Sequence, residues 1–113
     1  MVLDDFLLPA ENIRFSSRDG LVEYADKRYR VLVTDKRLIF YARRGMLMKS
    51  DDIVSERLDS LHGLKYLEEG MIFRYAIISV QGSMKMDIRG SPSDLKPLFH
   101  SLQALVNNNN NKI

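Results

Sequence analysis

The segment from residue 29 to residue 43 constrains the fold of this chain more than any other. It consists of two runs rich in β-branched and aromatic residues on either side of Asp35-Lys36. A helix would place apolar side chains on every side of this segment, whereas two strands joined by a tight turn suit it better. Both faces of each strand are partly apolar, so we predict a hairpin of central strands that is covered, at least in part, on both sides.

Extended segments separated by turn signals occupy most of the remaining chain. They recur at a spacing of roughly 8–12 residues and cover 12–24, 46–49, 53–58, 64–67, 72–81 and 84–89. After Gly90, apolar residues recur at helical spacing, and these are Leu95, Leu98, Phe99, Leu102, Leu105 and Val106. This periodicity predicts one amphipathic helix near residues 93–107, with Ser93 as its N-cap.

Short strands, about seven in number, followed by one helix predict a mainly β protein. The expected architecture is a small antiparallel barrel or sandwich capped by one C-terminal α-helix. A length of 113 residues is typical of a single domain. We predict an N-terminal arm or short helical turn at 1–10, the folded domain at 11–106, and a disordered, asparagine-rich tail at 107–113.

Composition narrows the class of protein. The chain has no cysteine, which excludes disulfides, thiolate zinc sites and a cysteine nucleophile. Its longest apolar runs, such as residues 75–80, fall far short of the ~20 residues that cross a bilayer. Asp4, Asp5 and Pro9 argue against a signal peptide. We therefore expect a small soluble cytoplasmic protein, or one peripheral to the inner membrane surface.

The residues that could carry catalysis or bind a metal are scattered. His62 and His100 lie far apart in the sequence. Each of the pairs Asp51-Asp52 and Glu68-Glu69 would point its two carboxylates to opposite faces of an extended chain. The sequence contains no glycine-rich phosphate loop, no HExxH motif and no nucleophile elbow. We therefore predict no catalysis, no bound metal and no cofactor.

Positive charge is concentrated in one third of the chain. Residues 14–49 contain ten basic and four acidic side chains, a net charge of +6, whereas the other residues contain seven and eleven, a net of −4. Such a dipolar molecule can present a basic surface to anionic lipid or nucleic acid. The alternative is that these cations are solvated side chains that keep strand edges from pairing.

Three features occur together: the sequence LLPAE at 7–11 ahead of a strand, the hairpin segment YRVLVTDKRLIFY at 29–41, and the terminal helix. This combination resembles the prokaryotic pleckstrin-homology-like domains and their GRAM-like relatives, over residues 7–106. The resemblance implies two antiparallel sheets, nearly orthogonal, that are closed at one corner by the C-terminal helix. Members of the wider superfamily bind phosphoinositides, phosphopeptides, peptides or other subunits.

In the resembled fold, the turns after the first and third strands lie near the open end of the barrel. A set of basic residues would then converge there, which we call the predicted basic face: Lys27, Arg28, Arg30, Arg43, Arg44 and Lys49. Several cations with few carboxylates nearby suit phosphates and anionic headgroups.

We predict a non-catalytic binding module that contacts a protein partner or a second copy of itself. Peripheral binding of anionic lipid or phosphate headgroups through the predicted basic face is the alternative. Self-association is expected because splayed sheets expose strand edges, and the strand at 84–88 is the candidate edge. Nucleic acid is not the expected partner, because oligonucleotide-binding barrels usually hold their helix between strands and stack bases on exposed aromatic side chains.

Overall fold

The computed structural model of this chain describes residues 7–18, 21–45, 47 and 50–110, with the backbone alone for 107–110. In these residues the elements are β1 Ile13–Ser16, β2 Val22–Tyr24, β3 Lys27–Thr34, β4 Arg37–Arg44, β5 Ser50–Arg57, β6 Gly63–Glu69, β7 Tyr75–Gln81, β8 Lys85–Gly90 and α1 Pro92–Asn110. A single 3₁₀ turn, Leu58–Ser60, lies between β5 and β6. The predicted fold class is confirmed, since the protein is mainly β with antiparallel pairing and one C-terminal helix.

Strand β3 joins the two halves of the sheet because it pairs with three other strands. Its first three residues pair with β2, and residues 32–34 pair with β1. On its other edge, residues 30–33 pair with β4. The strand order is β5-β4-β3-β2-β8-β7-β6. Among the described strands, β5 and β6 end this order without pairing with each other, so the sheet is open.

The strand predicted as an exposed edge lies inside the sheet. β8 pairs with β7 along its whole length and with β2 at Ile88 and Arg89. The prediction that 84–88 is an edge strand is therefore wrong in the strand order, which ends at β5 and β6, although residues 85–87 pair with β7 alone. Alternation of apolar and polar residues indicates that one face of a strand is buried, but it does not say which strands lie beside it.

One core joins both halves of the sheet to the helix. It includes the inward-facing residues Val31, Val33, Leu38, Phe40, Ala76, Ile78, Val80, Met86 and Ile88. Leu32 and Ile39 lie on the opposite face of the β3–β4 hairpin and pack with Tyr41, with Leu7 and Ile53 partly buried against them. The prediction that this hairpin is covered on both sides is confirmed, and it explains why both faces of its sequence are apolar.

The helix packs its apolar stripe against this core. The stripe residues that are buried are Leu95, Leu98, Leu102 and Val106. Phe99 is half-buried and lies against the ring of Tyr66, with the two ring centroids 5.5 Å apart. The predicted amphipathic helix is therefore confirmed, and it closes the core as a cap.

Both ends of the helix differ from the sequence prediction. Ser91 is the N-cap: its Oγ accepts a hydrogen bond from the backbone N of Asp94 at 3.3 Å and donates to Asp94 Oδ2 at 2.7 Å. The choice of Ser93 was wrong, because Pro92 suits the first helical position and leaves the cap to the residue before it. The helix runs to Asn110, so the first part of the predicted tail at 107–113 has helical backbone, and residues 111–113 lie outside the described residues.

A buried carboxylate anchors the segment before β1 to the β3–β4 turn. Arg37 donates two hydrogen bonds to Glu11, from Nε to Oε2 at 3.0 Å and from Nη2 to Oε1 at 2.8 Å. Thr34 Oγ1 donates to Oε2 at 2.6 Å and the backbone N of Leu8 donates to Oε1 at 2.8 Å. The bond from Arg37, with those from Thr34 and Leu8, lowers the pKa of Glu11 to about 2 despite its burial. Within the predicted arm at 1–10, residues 1–6 lie outside the described residues.

Candidate functional site

The loop between β6 and β7 exposes three consecutive large apolar side chains. The exposed fractions of Met71, Ile72 and Phe73 are 98%, 85% and 88%. We call residues 71–73 the apolar tip. The sequence predicted a strand over 72–81, but β7 begins at Tyr75, so Ile72 and Phe73 lie in the loop. Single exposed apolar residues are common on protein surfaces, whereas a contiguous exposed apolar patch marks an interaction site.

The apolar tip is held by groups at its base rather than by contacts of its own side chains. The hairpin is paired up to Glu69 and Tyr75. Gly70 then adopts a φ of 101°, in the left-handed region that glycine favours. Arg74 spans the loop: its Nη1 donates to the carbonyl oxygen of Gly70 at 3.0 Å, and its Nη2 donates to Glu68 Oε1 at 3.2 Å. The loop is therefore shaped by Gly70 and Arg74, which leaves the three apolar side chains free to make contacts elsewhere.

A groove lies immediately beside the tip. Its volume is about 690 Å³, and its lining includes four arginines: Arg18, Arg28, Arg74 and Arg89. We call it the arginine groove. Two carboxylates, Glu23 and Asp94, also line it. Arg74 is ion-paired with Glu68, so three further arginines stand against these two carboxylates and the groove keeps a net charge of +1.

Cross-strand pairing brings the arginines of the groove together. Glu23 on β2 lies directly opposite Arg28 on β3 and opposite Arg89 on β8. Directly opposite residues project from the same face of a sheet, so the side chains of Arg28, Glu23 and Arg89 share one face. The guanidinium of Arg89 also lies over the ring of Tyr75, 6.0 Å from its centroid.

The tip and the groove are continuous. Arg74 and Tyr75 both line the groove, and they follow Phe73 directly in the chain. A hydrogen bond holds the Tyr75 side chain in place, because its hydroxyl donates to Glu69 Oε2 at 2.6 Å. This hydrogen bond to a carboxylate raises the pKa of the Tyr75 hydroxyl. An apolar protrusion and a cationic groove thus form one surface at the start of β7.

Part of the predicted basic face is engaged with acidic and aromatic partners. Arg44 Nε donates to Asp52 Oδ2 at 3.0 Å, and the Arg44 guanidinium lies 4.9 Å from the centroid of the Tyr29 ring. Burial opposes ionisation of Asp52, but the hydrogen bonds from Arg44 and Tyr29 and the charge of Lys27 hold the pKa of its carboxyl below the usual value. Arg44 and Lys27 therefore neutralise a carboxylate of the same protein, which weakens them as a site for an external anion.

The other members of the predicted basic face point to different places. Arg30 donates through Nη2 to Ser16 Oγ at 2.8 Å, and Arg43 lies opposite Asp51 in the β4–β5 pairing. Arg28 lines the arginine groove. Lys49 lies outside the described residues. The described members of the set therefore do not form one cluster.

The sequence did contain a signal for the apolar tip. Continuing the alternation of β7 backwards places Arg74 on the same face as Ala76, Ile78 and Val80, which are fully buried. A guanidinium has no place in that core, so the strand has to begin after residue 74. The arginine groove left no such signal, because its residues come from segments that are distant in the sequence and are brought together by the sheet.

No metal centre stands out in the part of the chain that the structure describes. No group of three or more His, Asp or Glu side chains is placed to hold a metal ion among those residues. None of the described helices is long and apolar enough to cross a membrane.

Comparisons with protein-family models, with curated proteins and with solved structures return no match to this chain.

Proposed function

We propose that this protein is a non-catalytic binding module that contacts its target through the apolar tip. The observation that carries the proposal is the exposure of Met71, Ile72 and Phe73 to 98%, 85% and 88%. Full burial of side chains of this kind is worth about 1.5–3 kcal/mol each. A target that covers all three therefore gains several kcal/mol from the tip before any polar contact is made.

The contacts within the fold also support a role for the apolar tip outside the domain. The tip residues make no part of either core cluster, and the loop is shaped by Gly70 and Arg74 instead. A binding role also accords with the pleckstrin-homology-like character that we propose from the hairpin segment 29–41.

A second candidate is self-association through β6. This strand ends the sheet order, is seven residues long, and exposes Leu67 to 39%. A second copy adding its own β6 in antiparallel fashion would pair the backbone groups of that edge. The two candidates use different surfaces and can be separated experimentally.

The absence of cysteine offers a direct test, since a single introduced cysteine is the only thiol that a probe can label. We would label Phe73→Cys with an environment-sensitive fluorophore and add unlabelled protein, then the membrane and soluble fractions of cells that make the protein. The expected result is a blue shift and protection from iodide quenching at position 73 in at least one of these additions.

The matched control is Met84→Cys, at an exposed apolar position in the β7–β8 turn, and it should stay accessible to iodide throughout. A label at position 73 that remains fully quenchable in every addition contradicts the proposal. A label at Leu67→Cys that becomes protected as protein concentration rises, with position 73 unchanged, supports the β6 candidate instead.

A further inference from the structure

We infer that the apolar tip and the arginine groove together form a docking surface for an anionic lipid bilayer. In this arrangement Met71, Ile72 and Phe73 enter the apolar layer beneath the headgroups, and the guanidinium groups of the groove contact lipid phosphates. The inference rests on the proposed function, because it names the target that the apolar tip contacts.

The order of side chains along the loop matches the layers of a bilayer surface. Phe73 is 88% exposed, Arg74 follows it directly, and Tyr75 comes next with its ring under the guanidinium of Arg89. Apolar, cationic and aromatic amphipathic groups therefore succeed one another within three residues. Tyrosine is enriched at the headgroup level of membranes because its ring is apolar and its hydroxyl is polar.

Charge complementarity favours anionic over neutral lipid. The groove holds four arginines and two carboxylates. Within it, Arg74 is ion-paired with Glu68 at 3.2 Å and Asp94 accepts from Ser91, whereas Glu23 lies opposite Arg28 and Arg89 in the strand pairing. Guanidinium groups bind phosphate oxygens in a bidentate manner, and each cation near an anionic membrane raises affinity about fivefold.

The shape of the surface favours a bilayer over a folded protein partner. Specific protein interfaces usually need ~20–30 residues on each side, with an apolar centre that is flat or complementary in shape. Here three of the most exposed apolar side chains are consecutive residues at the end of a hairpin, flanked in the chain by Gly70 and Arg74. A fluid bilayer conforms to such a protrusion without a matching cavity, and even shallow insertion buries it.

Vesicle flotation tests the inference with defined lipids. Vesicles of phosphatidylcholine alone are compared with vesicles containing phosphatidylglycerol at 50, 150 and 500 mM NaCl. The unmodified protein should float with the anionic vesicles, and this fraction should fall steeply as salt rises because exposed charge contacts are screened. Binding to phosphatidylcholine should be at least tenfold weaker.

Two variants separate the parts of the surface. The groove variant Arg18→Gln/Arg89→Gln should weaken binding to anionic vesicles about 25-fold at 50 mM NaCl, since it removes two cations. The tip variant Met71→Ser/Ile72→Ser/Phe73→Ser should lose at least tenfold at every salt concentration. The control Lys65→Gln/Lys85→Gln changes net charge by the same amount at exposed positions outside the groove, and it should stay within about threefold of the unmodified protein.

Each outcome bears on the inference. Equal loss in the groove variant and the charge control would overturn it, because net charge alone would then explain binding. Failure to float with anionic vesicles would also overturn it. If the label at position 73 is nevertheless protected by the soluble cell fraction, the target is a protein, so the inference fails while the proposed function stands. If no addition protects that label, both fail.

Discussion

Replacing Glu11 by glutamine should remove a pH-dependent part of the stability of this fold. The Glu11 side chain has no exposed surface, and it accepts hydrogen bonds from Arg37, Thr34 and the backbone of Leu8. Through these bonds it ties the segment before β1 to the turn of the β3–β4 hairpin. Glutamine keeps the size of the side chain but removes the charge on which the bonds from Arg37 depend.

The magnitude follows from the pKa of this carboxyl. Its value drops from 4.5 to about 2 on folding, and each tenfold change in an equilibrium constant is worth about 1.4 kcal/mol. The ionised form therefore contributes about 3 kcal/mol to the free energy of unfolding. Because the folded-state pKa is the lower one, this contribution is complete above pH 4.5 and is lost as the pH falls towards 2.

Urea unfolding followed by far-UV circular dichroism measures this directly, at pH 7, 5, 4, 3 and 2. We expect Glu11→Gln to be about 3 kcal/mol less stable than the unmodified protein at pH 7 and to differ from it by less than about 1 kcal/mol at pH 2. Taking the difference between the two proteins cancels the contributions of the other carboxylates. The control Glu69→Gln, at an exposed position, should differ by about 0.5 kcal/mol or less. A difference at position 11 that stays constant from pH 7 to pH 2 would refute the reasoning.

Two further substitutions test the core and the loop by the same urea assay. Phe40 is fully buried, stacks on Tyr24 at 4.6 Å and meets the edge of Tyr29 at 5.9 Å, so Phe40→Ala should cost about 3–5 kcal/mol. Phe73→Ala should cost about 0.5 kcal/mol or less, and equal losses at the two positions would place Phe73 in a core. Gly70→Ala should cost about 1–3 kcal/mol, because a Cβ at φ 101° would overlap the carbonyl oxygen of Phe73; an unchanged urea midpoint would contradict the loop geometry.

Several elements of the fold followed from local patterns. The hairpin at 29–43 was predicted because a short run that is apolar on both faces suits a covered strand. A helix would place apolar side chains on every side of the same segment. The C-terminal helix was predicted because its apolar residues recur with a period of 3.6. In both cases the pattern involves neighbours along the chain, and their burial in the structure agrees with it.

The candidate site was accessible from the sequence only in part. The predicted basic face counted cations along the chain, whereas the pairing of strands decided what each cation meets. Ala42 pairs with Asp52 in the β4–β5 ladder, and Arg44, two residues further along β4, lies on the same face and therefore beside Asp52. Arg28 reaches the groove because the pairing of β2 places Glu23 and Arg89 next to it. Net charge in a segment therefore does not say which cations share one surface.

By itself, the sequence determined that this chain forms strands and then one amphipathic helix. It also determined that the 29–43 hairpin is central and that the C-terminal helix packs on a core. These follow from the periodicity of burial, which each residue shares with its neighbours two to four positions away. Only the tertiary structure decided that β8 lies inside the sheet, that residues 71–73 project from it, and that four arginines line one groove. The physical reason is that lateral strand pairing joins residues far apart in the chain, and no local period encodes which strands become neighbours.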